Sequence, residues 1–124
     1  MSDLKLVLEI LSQIEEAAKR VTRRFAKVDS SDAFLESEEG LEKLDAICMQ
    51  LIAIGESLKN LDKVTHGGLL PKYPQVEWKG AMGIRDIITH HYFDLDAEAV
   101  YDACKLDIPV LTKTTARMKA DLSV

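Results

Sequence analysis

Residues 4–28 read LKLVLEILSQIEEAAKRVTRRFAKV, and Leu4, Val7, Leu11, Ile14, Ala18, Val21, Phe25 and Val28 recur in a strict three-four spacing. On a helix that spacing gathers the side chains into one narrow seam, as in a helix that packs along an antiparallel partner. A first helix from about residue 3 to residue 27 is predicted. Lys19, Arg20, Arg23, Arg24 and Lys27 lie off the seam. They read either as a solvated face suited to a helix C-terminus, where cations are favoured, or as a docking surface for RNA or an acidic partner.

Working outward, Asp29-Ser30-Ser31-Asp32 breaks the pattern with turn formers in a short polar loop, and Ser37 is an N-cap followed by Glu38 and Glu39 in a first turn. Leu41, Leu44, Cys48, Leu51, Gly55, Leu58 and Leu61 repeat the seam, so a second helix should run to about Leu61. Ile47, Ile52 and Ile54 widen its apolar surface, which must be covered either centrally within a bundle or by a second subunit. Gly55 costs this helix about 1 kcal/mol of propensity, and close approach of a neighbour is the expected return.

Gly67-Gly68, Pro71 and Pro74 make residues 63–75 the main connection, with His66 an exposed loop histidine. A third helix should begin near Gln75, be anchored by Trp78 and end at residues 93–96. Asp94 or Asp96 then caps a fourth, which buries Val100, Cys104 and Ile108 before Pro109 kinks or restarts it. Val110, Leu111, Met118 and Leu122 continue the apolar pattern. No segment alternates with period two. The expected fold is all-α, one domain over residues 1–124, a bundle of four to five helices, up-down with short loops.

Composition narrows the function. With 124 residues, 47% apolar and 30% charged, the chain has globular composition and can bury a core without staples. A net charge of -5 excludes nucleic-acid binding by bulk electrostatics, so any RNA must meet a local cationic site. The apolar stretch Ile47 to Gly55 is far too short to span a bilayer. The N-terminus lacks the pattern of a signal peptide, and a cytoplasmic location without membrane contact is expected. Cys48 and Cys104 sit on apolar faces as reduced structural thiols. No Glu has a His three residues on, which excludes a di-iron bundle. Neither metal ligation nor any other cofactor is indicated.

The chemistry concentrates in residues 81–94, AMGIRDIITHHYFD. On a continuous helix Ile84, Ile87, Ile88 and His91 share a core-facing arc of roughly 100°, and Arg85, Asp86, Thr89, His90 and Tyr92 fall on the polar side. Arg offers a bidentate cation to phosphate oxygens, and His exchanges protons near neutrality. The two point about 140° apart and about 7.5 Å apart along a regular helix, so one copy gives an open site. The alternatives are a surface Arg85–Asp86 ion pair and a solvated His90.

Arg85, four residues, His90, one residue and Tyr92, followed by Phe93 and Asp94, together with Gly55-Glu56-Ser57, Tyr73-Pro74, Trp78, Gly83 and Leu106-Asp107-Ile108-Pro109, resemble the HEPN superfamily, specifically the HepT toxins of HepT/MntA toxin-antitoxin systems. The resemblance covers about the last two thirds of the chain. It implies a metal-independent RNA endonuclease with Arg85 and His90 catalytic and Asp86 and Thr89 supporting. It also implies Tyr92 as acceptor of AMP from an MntA-like nucleotidyltransferase antitoxin, and a homodimer with a composite active site. The competing function class is a catalytically inert bundle that serves as binding partner of a nucleotidyltransferase.

Overall fold

The structure, a computed structural model, describes residues 3–91 and 94–123, and of His90, His91 and Asp94 the backbone alone. Helix α1 spans Leu4–Phe25 and α2 spans Glu38–Val64. The third segment divides into α3 (Trp78–Met82) and α4 (Ile84–Ile88), and a ribbon follows, β1 (Thr89–His91) against β2 (Asp94–Leu95). The last column is α5 (Ala97–Asp102), a π turn (Ala103–Asp107) and α6 (Ile108–Leu122). This is the expected all-α bundle, with one small antiparallel ribbon inserted among the described residues.

The caps follow the sequence. Asp3 accepts from the backbone N–H groups of Lys5 and Leu6, and Ser37 accepts from Gly40 at 3.0 Å, satisfying donors that each helix start leaves open. Asp96, rather than Asp94, caps α5, accepting from the Ala99 N–H at 3.0 Å. The π turn has its cause in Pro109, which has no N–H for the Lys105 carbonyl and whose ring would crowd it. The chain widens instead, and the Ile108 N–H reaches back to the Ala103 carbonyl.

Three contacts set the directions of the columns. Tyr101, early in the last column, stacks edge-on against Phe25 at 5.1 Å and donates its hydroxyl to the Asp29 carbonyl at 3.2 Å. Lys119, near the other end, donates to Glu15 at 2.9 Å, so α6 runs antiparallel to α1. Tyr73, just past α2, donates its hydroxyl to Asp121 at 2.7 Å, so α2 ends beside the end of α6 and also runs opposite to α1.

The seam of α1 is buried from Val7 to Val21, with Leu4 left 50% exposed. Helix α2 is central: Ile47 and Ile54 are buried within the chain itself, which realises the first of the two covers its wide apolar surface required. Leu41 and Val110, read from the sequence as core, are exposed. The loop read as merely polar holds a 3-10 turn, Ser31–Phe34, which drives Phe34 fully into the core.

Candidate active site

Gly55 positions the motif. A Cβ built there would stand 3.0 Å from Cγ2 of Ile84, 3.1 Å from the Ala81 carbonyl oxygen and 3.3 Å from that of Met82. Only a bare backbone lets the α3–α4 junction sit this close to α2. Trp78 holds the other end of the segment, buried and donating its Nε1–H to the Tyr73 carbonyl at 2.8 Å. Tyr73 is tied in turn to Asp121, and that hydrogen bond, with desolvation second, raises its phenol pKa above the ordinary value.

The continuous motif helix expected from the sequence is not formed. It is interrupted at Gly83 and ends at Ile88, because Ile87, Ile88 and Thr89 are consecutive β-branched residues that disfavour helix and favour strand. The Ile88 carbonyl, which a longer helix would give to residue 92, instead accepts from the Asp96 N–H at 2.7 Å. Thr89 pairs with Leu95 and His91 with Asp94, with an irregularity in register between them. The helical wheel therefore fails beyond Ile88, and its core-facing arc fails at Ile87, which is 49% exposed beside buried Ile84 and Ile88.

The site residues fall as follows. Arg85 and Asp86 are exposed on α4, and Thr89 is half-buried at the start of β1. Among the described residues no ion pair joins Arg85 to Asp86 or to another carboxylate, so the surface-pair alternative is not realised. Among these residues nothing neutralises the guanidinium. His90 has its backbone in β1. Its side chain and that of His91 lie outside the description, and Tyr92 and Phe93 lie wholly outside the described residues. With about 1.5 Å per helical residue and about 3.3 Å per extended one, residues 85 and 90 are separated by roughly 11 Å at most along the chain, more than the helix spacing allowed.

Elsewhere the structure disposes of the remaining candidates. Cys48 and Cys104 are buried and free, as expected. Desolvation first, then the Asp45 charge, pushes the Cys48 thiol up to about 11, and desolvation, then Cys48, pushes Cys104 up to about 12. Neither is poised as a nucleophile. His66 is exposed in the turn after α2. The basic residues from Lys19 to Lys27 are all exposed, with Arg20 and Arg23 reaching Glu16 at 3.9 and 3.7 Å. No helix among the described residues is long and apolar enough to cross a membrane.

The fold is thus a helical bundle that displays on a short helix an arginine unpaired among the described residues, with a histidine in the strand that follows. Comparison with known proteins gives its family: residues 7–118 match the family described as Ribonuclease HepT-like, and the chain belongs to that family. A candidate RNase of Methanocaldococcus jannaschii is 39% identical over 64 residues, which is 52% of this chain and 50% of that protein. A second candidate RNase of the same organism is 32% identical over 77 residues, 62% of this chain and 63% of that protein. A third relative there, named as a gamma-glutamylcyclotransferase and candidate RNase, is 29% identical over 119 residues, 96% of this chain and 47% of that protein. The chain thus spans about half to three fifths of the length of these curated relatives. No solved structure matches it significantly.

Proposed function

We propose that this chain is a HepT-type RNA endonuclease that works without metal, with Arg85 and His90 as its catalytic pair. The observation that carries the reading is the exposed Arg85, without an ion-pair partner among the described residues, held on α4 in a chain of the Ribonuclease HepT-like family. The candidate-RNase names of its relatives favour the same chemistry. RNA supplies its own nucleophile: His90 takes the proton of a 2′-hydroxyl, the oxygen bonds to the adjacent phosphorus, and the bond to the 5′-oxygen breaks as that oxygen takes up a proton. Arg85 neutralises charge gathering on the non-bridging oxygens. Asp86 and Thr89 support the pair. The products are a cyclic phosphate and a 5′-hydroxyl.

In this reading the protein is the toxin of a toxin-antitoxin pair, and a nucleotidyltransferase antitoxin silences it by placing AMP on Tyr92. An AMP phosphate that reached the Arg85 guanidinium would compete with substrate for it. With Arg85 on α4 and His90 on β1, the reading includes a homodimer in which Arg85 of one copy faces His90 of the other across a twofold axis. RNA incubated with the wild-type protein in EDTA should yield fragments with cyclic phosphate ends. Cleavage that requires added metal, or none at all, would sink the reading. Mixing Arg85→Ala with His90→Ala under subunit exchange should restore part of the activity, and a monomer by sedimentation that still cuts RNA would defeat the composite site.

A further inference from the structure

A groove of about 450 Å³ runs between the α3–α4 segment and the α5–α6 column, floored by Leu51 and Ile54 of α2. Its lining is mostly apolar, and its charged members are Glu77, Asp102 and Asp107, three carboxylates with no Lys or Arg among them. Two large apolar side chains stand on its margins and remain in water, Ile87 at 49% and Val110 at 38% exposure. Asp102 precedes the π turn and Asp107 is its last residue, so the backbone distortion that Pro109 imposes lies at this edge of the groove.

We propose that this groove docks a cationic amphipathic helix of a partner protein, its apolar stripe on Ile84, Ile87 and Val110 and its lysines or arginines over Asp102, Asp107 and Glu77. A small molecule held on the floor would leave both exposed margins uncovered, whereas a helix of about 10 Å diameter covers them together. A second copy of the chain is disfavoured by charge, because a chain of net charge -5 would be brought onto a groove whose charged lining is three carboxylates. Nucleic acid and anionic lipid are disfavoured for the same reason. The carboxyl of Asp107 already titrates above its usual range, through desolvation and then the Asp102 charge, as suits an edge that lacks a cation. Since Ile84 and Ile87 flank Arg85 on α4, the docked helix lies beside the candidate active site. The inference does not depend on the ribonuclease reading, because none of the docking residues takes part in that chemistry.

The test is fluorescence anisotropy of the full chain with a labelled synthetic helix that carries leucines at i, i+3, i+4 and i+7 between lysines, against a control with every Lys replaced by Glu. The lysine peptide should bind and the glutamate peptide should not. Asp102→Asn with Asp107→Asn, both exposed sites, should weaken binding about tenfold or more, as loss of charge-assisted contacts predicts. A photo-crosslinker carried at Val110 should capture the peptide. Equal binding of the two peptides, unchanged affinity in the Asn variant, or no binding by the wild type would each overturn the proposal. So would a dimer that Ile87→Ser with Val110→Ser converts to monomer, which would make a second copy the occupant.

Discussion

Replacing Gly55 by Ala separates the two forces that act on the centre of α2. Propensity alone favours the substitution by about 1 kcal/mol. Against this, the new Cβ would stand 3.0 Å from Ile84 Cγ2 and 3.1 and 3.3 Å from the carbonyl oxygens of Ala81 and Met82. The methyl of Ile84 can give way by rotation, but the two oxygens belong to backbone that Trp78 pins from the other side. Overpacking of this kind costs about 1–3 kcal/mol. The net expectation is destabilisation by about 0–2 kcal/mol for Gly55→Ala, and about 3 kcal/mol or more for Gly55→Val, which forgoes the propensity gain and adds two methyls. Urea unfolding followed by circular dichroism reads this as a fall in midpoint at constant slope, and heating as a fall of about 3–6 °C for each kcal/mol in a chain of this size. A Gly55→Ala protein more stable than wild type by about 1 kcal/mol would mean that propensity alone decides, and the close approach that positions α4 would be refuted.

Three further outcomes follow from other parts of the structure. His66 has φ +54° at the position after the α2 cap, where the Gly67 N–H bonds the Asp62 carbonyl and the His66 N–H that of Lys63. This is the site where helices ordinarily place glycine, so His66→Gly should raise stability, by up to about 1 kcal/mol in urea unfolding, and a loss of stability would contradict the assignment. Cys48 and Cys104, raised to about 11 and 12 from 9.0, hold their protons in the folded state more tightly than in the unfolded one. Their contribution is complete below pH 9 and is lost as pH rises through 11 to 12. Stability should therefore decline across that interval, and less so in a Cys48→Ala, Cys104→Ala protein compared with its own neutral-pH value. At pH 8 both native thiols should resist a thiol reagent that modifies the unfolded chain within minutes, and rapid native labelling would show that burial does not protect them.

How much of this was legible in the sequence varies by element, for physical reasons. The seams of α1 and α2 and the Ser37 cap could be read because each rests on local periodicity or on a hydrogen bond three residues away. The role of Gly55 was legible as a cost without visible local return, and the structure supplies the return in the α3–α4 junction. Phe34 is not legible because no helical period runs through its short turn and its burial depends on distant helices. A lone aromatic in a polar loop was the available signal. The end of α4 was misread because the period of Ile84, Ile87, Ile88 and His91 also fits a helix. The β-branched run at residues 87–89 pointed to a strand, and the Asp96-to-Ile88 hydrogen bond that fixes the ribbon is non-local. The motif residues themselves were legible as an ordered set, and Arg85 is found exposed and unpaired among the described residues. Their arrangement in space depends on the helix-to-strand change that periodicity concealed.

The most direct measurement of the central claim is the single-turnover rate of RNA cleavage in EDTA by wild type, Arg85→Ala and His90→Ala, each with its melting temperature. Loss of a proton-transfer group costs about 10²–10⁴-fold and loss of a charge-stabilising one about 10²–10³-fold. Both variants should fall by these factors, and Arg85→Ala, whose side chain is exposed, should melt within about 2 °C of wild type. Variants that cut RNA at the wild-type rate would contradict the account.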